Sequence, residues 1–192
     1  MVATSKPLID ESMDMLDQAL EEVRDLSFEL RPSLLDDLGL VAAMRWYTDR
    51  FAKRTAIPAT IVTSIPEGVR LKRDIETACF RIIQEALTNV ARHSRAKSVS
   101  INLKTLGSET VLLVRDDGIG FDLYSVNPQS FPIGLGLRGM EERALALGGR
   151  LEVKTQPHQG TELRACFPQN GNTRDWPHES LGHQEGPVLA EG

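Results

Sequence analysis

Cysteine is scarce in this chain of 192 residues, which contains only two. Cys79 falls within a predicted helix and Cys166 within a predicted strand, so the pair matches neither a disulfide framework nor a zinc cluster. We therefore expect two packed, reduced thiols, and the class of small disulfide-stapled secreted proteins is excluded.

Long apolar runs are also missing. No segment approaches the ~20 apolar residues that a membrane span needs. The opening residues, MVATSKPLIDESMD, lack the apolar core of a signal peptide. We therefore expect a cytoplasmic chain that makes no membrane contact itself, which leaves open a membrane anchor upstream of Met1.

Positive charge is in deficit, since 22 Lys and Arg stand against 27 Asp and Glu, for a net charge of −5. Broad nucleic-acid binding requires a basic surface, so nucleic acid is not expected as a partner. An anionic ligand would have to be held by local hydrogen-bond donors and a metal ion.

Apolar residues at heptad spacing mark the N-terminal part. They recur at alternating spacings of four and three, with an interruption at Ser27: Ile9, Met13, Leu16, Leu20, Val23 and Leu30. This spacing favours a helix in an intermolecular bundle, while an amphipathic helix packed on its own domain is the alternative. Pro32 should end or kink the helix because it lacks an N–H group. We assign residues 1–36 to this unit.

Residues 37–168 are predicted to fold as one domain. A helix is expected from near Asp37 or Leu38 to Thr55, followed by further helices and strands. The predicted strands span 59–65, 98–105, 110–117, 150–156 and 161–167, and the predicted helices 74–94 and 136–149. This order indicates an α+β, two-layer sandwich with helices on one face of a mixed sheet, preceded by the long N-terminal helix. Residues 169–192, rich in Gly, Pro and Glu, predict a disordered tail or linker.

A polar pair lies on the helix predicted over 74–94. Glu85 and Asn89 are one turn apart, so a carboxylate and an amide oxygen stand side by side. Asn89 can offer a neutral oxygen to Mg²⁺, and Glu85 can hold a water or accept a proton from a nucleophile. Arg92 and His93 follow on the same side, within reach of phosphate oxygens. Taken alone, the pair would also suit a solvated helix face.

The sequence DDGIGF at 116–121 follows a predicted strand. The Asp116 carboxylate can accept a hydrogen bond from the exocyclic amine of adenine, while Gly118 and Gly120 let the backbone approach a flat base. Guanine has a carbonyl at that ring position, so such a site would prefer ATP to GTP. An isolated Asp-Gly sequence would more simply be a turn between strands.

A loop with two prolines, residues 122–133, is typical of a lid. It leads to a glycine box that consists of Gly134, Leu135, Gly136 and Leu137. The backbone N–H groups of this box and the N-terminus of the following helix would form a phosphate site. Together with Gly139 the box spells the dinucleotide fingerprint GxGxxG, but no predicted strand precedes it, and the chain has no P-loop.

Taken in order, these motifs resemble the ATP-binding domain of sensor histidine kinases, in the GHKL superfamily shared with DNA gyrase and MutL. The resemblance covers roughly residues 8–168, and it is nearest to the subfamily that signals to NarL/LuxR-type response regulators. It is carried by LRPSLLDDLGL at 30–40, the Glu85/Asn89 helix, Asp116-x-Gly118-x-Gly120, Gly134-x-Gly136-Leu137 and Gly160-Thr161.

The resemblance implies a Bergerat-type fold that binds ATP and Mg²⁺. Asn89 would be the metal ligand, Glu85 the general base or polarising group, and Asp116 the adenine-specificity residue, helped by the Thr161 hydroxyl. Residues 1–36 would be the distal helix of a dimerisation and phosphotransfer hairpin, and 37–168 the catalytic domain. The implied reaction passes the γ-phosphoryl of ATP to a histidine and then to an aspartate of a NarL/LuxR-type regulator.

The phosphorylated histidine of that family lies on the first helix of the hairpin, and none of the four histidines in this sequence occupies such a position: His93, His158, His178 and His183. We therefore expect the acceptor to lie outside this chain and the isolated chain not to autophosphorylate stably. The expected partners are the acceptor hairpin of the same kinase, in a homodimer, and the regulator. Two alternatives remain, an ATP-hydrolysing switch of the gyrase/MutL kind and a non-catalytic, ATP-responsive interaction module.

Overall fold

The computed structural model describes residues 33–122 and 133–169. The predicted heptad helix, most of the predicted lid and the predicted tail lie outside these two ranges. Within the ranges, the elements in chain order are α1 Ser33–Thr55, β1 Ala59–Thr63, α2 Arg73–Asn89, a π-helical turn Val90–Ser94, β2 Val99–Leu106, β3 Glu109–Asp116, α3 Ile133–Leu145, β4 Arg150–Thr155 and β5 Thr161–Pro168.

The strands within the described residues form one mixed sheet in the order β1-β2-β3-β5-β4. β1 runs parallel to β2, and the other neighbouring strands are antiparallel. The helices cover the face whose side chains are buried. The predicted α+β class with a mixed sheet is therefore confirmed.

Alternation of apolar and polar residues decides which face of the sheet is covered. Along β2, Val99, Ile101 and Leu103 are buried whereas Ser100 is exposed. The facing stripe of α2 buries Cys79, Phe80, Ile82, Ile83, Ala86 and Leu87. Full burial of each large apolar side chain contributes about 1.5–3 kcal/mol, so α2 is held firmly against the sheet. Its C-terminal half is thereby fixed beside the ends of β3 and β5.

α1 begins at Ser33, four residues before the predicted start near Asp37. Pro32, at which the preceding helix was predicted to end, lies outside the described residues. Gly39 interrupts α1 with a non-helical backbone of φ 82° and ψ 175°, a conformation that favours glycine. α1 crosses the predicted domain boundary after residue 36, and that boundary stays a prediction.

Both cysteines are buried free thiols, as expected. Burial is also the largest cause that raises the pKa of Cys79, while the charge of Glu76 adds to the shift. In the two described ranges, no helix combines the length and the apolar character that crossing a bilayer requires.

Candidate nucleotide-binding site

A cavity of about 260 Å³ opens between the end of α2 and the adjoining ends of β3 and β5. Its wall is mostly apolar, with a few polar groups at one side, as in many small-molecule sites. The lining residues are Ala86, Asn89, Val90, His93, Ser94, Val114, Asp116, Ile119, Gly120, Phe121, Leu137, Thr161 and Leu163. Motifs that are far apart in sequence therefore meet at this cavity.

Asp116 ends β3 and is only 8% exposed. Its Oδ1 accepts a hydrogen bond from the Gly118 N–H group at 2.8 Å, and its Cα partner on β5 is Thr161. Burial raises the pKa of Asp116, while hydrogen bonds from Gly118 and Thr161 oppose the shift and the charge of Asp117 adds to it. A carboxylate has about four acceptor positions, so this one retains capacity for a ligand amine.

The glycines around Asp116 are needed because the backbone is tightly packed there. A Cβ built on Gly118 would overlap the Ser94 carbonyl oxygen and lie 2.7 Å from Asp116 Oδ1. Gly120 has φ +55°, and a Cβ there would overlap the carbonyl oxygen of Gln156. Gly160, at φ +71°, meets the Asp116 carbonyl oxygen in the same way. A larger residue at any of these three positions would therefore disturb the backbone that surrounds Asp116.

We expect Gly118→Ala to lower nucleotide affinity at least tenfold, since overpacking of about 1–3 kcal/mol must be relieved by moving Ser94 or Asp116. Gly107→Ala is the matched control. Gly107 has a left-handed φ, +58°, which Gly118 does not, and no atom lies within 4 Å of its added Cβ. The Gly107→Ala variant should have a lower melting temperature but the same nucleotide affinity as the unmodified chain. Equal affinities of the two variants, measured by calorimetry, would show that Gly118 does not position the site.

Asp117 has a role that sequence reasoning left out. Its Oδ1 accepts the N–H groups of Lys97 at 2.7 Å and Ser98 at 2.9 Å, and its Oδ2 accepts the Ser98 hydroxyl at 2.9 Å. The first cause that lowers the pKa of Asp117 is the Ser98 backbone hydrogen bond. Asp117 therefore braces the loop after the π turn against the end of β3. The adjacent pair of aspartates was the available sequence signal.

The helix predicted over 74–94 ends in a π turn, Val90–Ser94. Asn89 and His93 line it, whereas Arg92 is exposed and lies outside its lining. The Ser94 hydroxyl donates to the Val90 carbonyl at 2.8 Å, and the Ser94 carbonyl accepts the Ile119 N–H at 2.7 Å. The predicted contact of Arg92 with phosphate oxygens stays a prediction.

His93 differs from the other polar lining groups. Its Nε2 atom is buried without a hydrogen-bond partner in the described part of the chain. A buried ring nitrogen without a partner costs free energy unless a ligand satisfies it. This geometry suits a contact with a ligand in the cavity, and the predicted contact with phosphate stays a prediction.

The glycine box was predicted to precede a helix. It lies instead in the first turn of α3, which begins at Ile133. The first N–H groups of a helix have no partner within it, so the phosphate-binding donors would be those of the box itself. Leu137 is 7% exposed and lines the cavity. Leu135 is 45% exposed and does not belong to the cavity lining. A helical start is possible at this point because glycine is tolerated near a helix terminus.

Gly136 lies directly against the predicted polar pair on α2. A Cβ on Gly136 would overlap Glu85 Oε1 and lie 3.6 Å from Asn89 Nδ2. The start of α3, Glu85 and Asn89 therefore meet at the rim of the cavity. The amide and carboxylate are hard oxygen donors, few in number, which fits the partial protein coordination that Mg²⁺ takes beside phosphates.

Thr161 and Thr155 connect the cavity to the turn after β3. Thr155 Oγ1 accepts the Phe121 N–H at 3.1 Å, donates to the Gly160 carbonyl at 3.0 Å and lies 3.3 Å from Thr161 Oγ1. Thr155 was missed in the sequence because it resembles any strand threonine. The Thr161 hydroxyl lies at the cavity wall beside Asp116, and its predicted contact with adenine stays a prediction.

A family model described as Histidine kinase-, DNA gyrase B-, and HSP90-like ATPase matches residues 74–171. The sensor histidine kinase MctS of Rhizobium johnstonii is 38% identical over 164 residues, which are 85% of this chain and 35% of that protein. DegS of Brevibacillus brevis, a signal transduction histidine-protein kinase/phosphatase, is 34% identical over 154 residues, 80% of this chain and 39% of DegS. The chain thus spans well under half the length of these curated relatives.

Solved structures of histidine kinases are similar to this fold. The histidine kinase domain of the blue-light activated kinase EL346 of Erythrobacter litoralis covers 68% of this chain and 61% of its own, with a TM-score of 0.54 and 21% identity. Histidine kinase AdeS of Acinetobacter baumannii covers 88% of this chain and 86% of its own, with a TM-score of 0.52 and 17% identity. At such low identities the likeness concerns the fold alone.

Proposed function

Because this chain belongs to the family of histidine kinase-, DNA gyrase B- and HSP90-like ATPases and contains the ATP-binding catalytic domain of histidine kinases, we propose that it transfers the γ-phosphoryl group of ATP to a histidine. The observation that carries this proposal is one apolar cavity lined by both Asp116 and Asn89, with Glu85 and the start of α3 next to Asn89. One end suits a flat base, and the other suits phosphates.

Adenine would lie in the cavity with its exocyclic amine donating to the Asp116 carboxylate, assisted by the Thr161 hydroxyl. Gly118 and Gly120 let the turn after β3 pack against Ser94 and Gln156, and this packing holds the Asp116 carboxylate beside the cavity. The phosphates would extend to the N–H groups of Gly134, Leu135, Gly136 and Leu137 at the start of α3. Both the orphan N–H groups and the helix dipole favour an anion there.

Asn89 would hold Mg²⁺ through its amide oxygen. When bound, the ion would supply neutralisation of the charge on the phosphate oxygens. Glu85, one turn earlier, would orient or accept the proton of the attacking imidazole nitrogen. His93 would contact the nucleotide through its buried Nε2, and Arg92, in the same π turn, would contact outer phosphate oxygens.

The wider assembly is part of the same proposal. Residues 1–36 would form the distal helix of a dimerisation hairpin, 37–168 the catalytic domain, and 169–192 a tail or linker. The acceptor hairpin of the same kinase, in a homodimer, and a NarL/LuxR-type response regulator would be the partners, at the cytoplasmic side. The similarity to DegS over 80% of this chain is consistent with this subfamily.

A single-turnover assay with labelled ATP and a separate hairpin that carries an acceptor histidine tests the proposal. Acid-labile, alkali-stable label on the hairpin is expected. Free phosphate without labelled protein would favour an ATP-hydrolysing switch instead. Neither product, despite measurable ATP binding, would favour an interaction module that responds to ATP.

In the same assay we expect Glu85→Gln to slow transfer about 100-fold or more, because loss of a general base costs roughly 10²–10⁴-fold in rate. ADP affinity should stay close to that of the unmodified chain. Glu67→Gln is the matched control, since Glu67 is an exposed carboxylate paired with Arg45. Equal transfer rates in both variants would remove Glu85 from the mechanism.

A further inference from the structure

The guanidinium of Arg70 joins α1 to the start of α2. Arg70 Nε and Nη2 donate to the Glu76 carboxylate, the shortest contact being 2.7 Å. Its Nη1 also donates to the Asp36 carbonyl at 2.9 Å, and its Nη2 to the Leu35 carbonyl at 3.2 Å. Arg70 thus bonds at once to a side chain of α2 and to the backbone of α1.

The α2 side of this junction is buried. Glu76 lies in the first turn of α2 and is 1% exposed. Its carboxylate has a charged partner, Arg70, and a neutral one, the Leu71 N–H group, which donates to it at 2.9 Å. A buried carboxylate is stable only when its oxygens are paired and hydrogen-bonded. Arg70 therefore has a fixed anchor rather than a solvated one.

The α1 side of the junction lies where that helix is interrupted. Leu35 and Asp36 precede the non-helical residue Gly39, so they belong to the last turn of the segment that begins at Ser33. Carbonyls at a helix end lack helical partners, and basic side chains can satisfy them. A Cβ on Gly39 would lie 3.1 Å from Arg70 Cδ, so the arginine side chain runs directly past the break.

The segment that begins at Ser33 and ends at the Gly39 break is called the entering segment below. The contacts of Arg70 tie it to α2, the helix that carries the candidate catalytic groups. Glu85 follows Glu76 by nine residues on α2, a rise of roughly 13 Å. We propose that Arg70 is a positioning residue that sets the angle at which the chain from Ser33 enters the ATP-binding domain. The second part of the proposal rests on the proposed function: the same angle sets where an acceptor histidine upstream meets the γ-phosphoryl group.

Arginine suits this role for a geometric reason. Its planar guanidinium presents several N–H donors in fixed directions, whereas a lysine ammonium is a compact charge that cannot reach a carboxylate and two carbonyls in the same way. Arg70→Lys therefore keeps a positive charge beside buried Glu76 but removes the bridge. The matched control is Arg73→Lys. Arg73 also links α2 to α1, but through the exposed Asp36 side chain at 3.0 Å, and an exposed ion pair of this kind contributes little to a fixed geometry.

The test uses the full chain with spin labels on Asp37→Cys, in the entering segment, and Ser100→Cys, on β2. Both sites are exposed, and the two native thiols are buried. Pulsed electron resonance gives the distribution of distances between the labels. Calorimetry with Mg-ADP and a melting curve are recorded for each variant. Gly39→Ala, which disturbs the junction from the α1 side, provides a second variant.

Arg70→Lys and Gly39→Ala are expected to broaden or shift the distance distribution while Mg-ADP affinity stays within about twofold of the parent, and Arg73→Lys should change neither. A lower melting temperature with an unchanged distribution would overturn the proposal, because Arg70 would then only stabilise the fold. A large loss of affinity would also overturn it. Failure of the parent to bind Mg-ADP would contradict the proposed function instead, and the distances would still test the junction.

Discussion

Asp116→Asn is expected to lower ATP affinity about 10- to 100-fold, the range for loss of one hydrogen bond to a charged group, and to abolish the preference over GTP. The ionised carboxylate only accepts hydrogen bonds, so it matches the adenine amine and repels the guanine carbonyl. An amide can present either group. Titration calorimetry with ATP and GTP measures both effects.

Asp117→Asn provides the comparison for this experiment. It removes the neighbouring charge, but its amide oxygen can still accept the N–H groups of Lys97 and Ser98. We expect it to retain the preference for ATP. If the unmodified chain binds ATP and GTP equally, Asp116 is not the adenine-specificity residue.

Burial of Asp116 also predicts a dependence on pH. Since burial raises its pKa above the unfolded value, protonation favours the folded state. The contribution of Asp116 to stability is fully present below the ordinary aspartate pKa and is lost as pH rises through the raised pKa. Adenine recognition should change in the opposite direction, because it needs the ionised form. ATP affinity should therefore fall on acidification at a higher pH than an ordinary exposed aspartate would allow.

Asn89→Ala is expected to remove the dependence of ATP affinity on Mg²⁺. When the metal is present, the apparent ATP affinity should fall about 100-fold. Without a metal, in excess chelator, the variant and the parent should bind ATP within a fewfold of each other. Asn89 lies at the rim beside Glu85 and Gly136, so alanine removes an oxygen donor without disturbing the core.

Thr88→Ala is the matched control for this substitution. Thr88 is the preceding residue on α2, and its hydroxyl donates to the Gln84 carbonyl at 2.8 Å. Its loss should leave the metal dependence intact. An Asn89→Ala variant that still gains affinity on addition of Mg²⁺ would place the metal ligand elsewhere.

The fold could be predicted because the signals that determine it are local. Strict alternation in β2 and the apolar stripe of α2 follow directly from the two secondary-structure periods. The start of α1 was predicted too late because Pro32 indicates the end of one helix and the beginning of another equally well. The break at Gly39 lies beside Arg70, which is distant in sequence.

The candidate site was predictable in part. The cavity brings Asn89, His93, Asp116, Leu137 and Thr161 together, in agreement with the grouping of motifs along the chain. The π turn and the bracing role of Asp117 follow from packing between loops, which leaves little trace in the residue pattern. The start of α3 was missed because glycines at a helix terminus look the same as glycines in a loop. The chemical roles of the site residues stay predictions.

The π turn at Val90–Ser94 has a consequence for sequence alignment. A π turn holds an extra residue compared with a regular α-helix, so a regular helix needs one residue fewer to reach the same point. The turn ends where the Ser94 carbonyl accepts the Ile119 N–H at 2.7 Å. Wherever a relative continues a regular helix to this loop, correct alignment needs a one-residue gap between Asn89 and Ser94. A gapless alignment would pair the wrong side chains at the cavity.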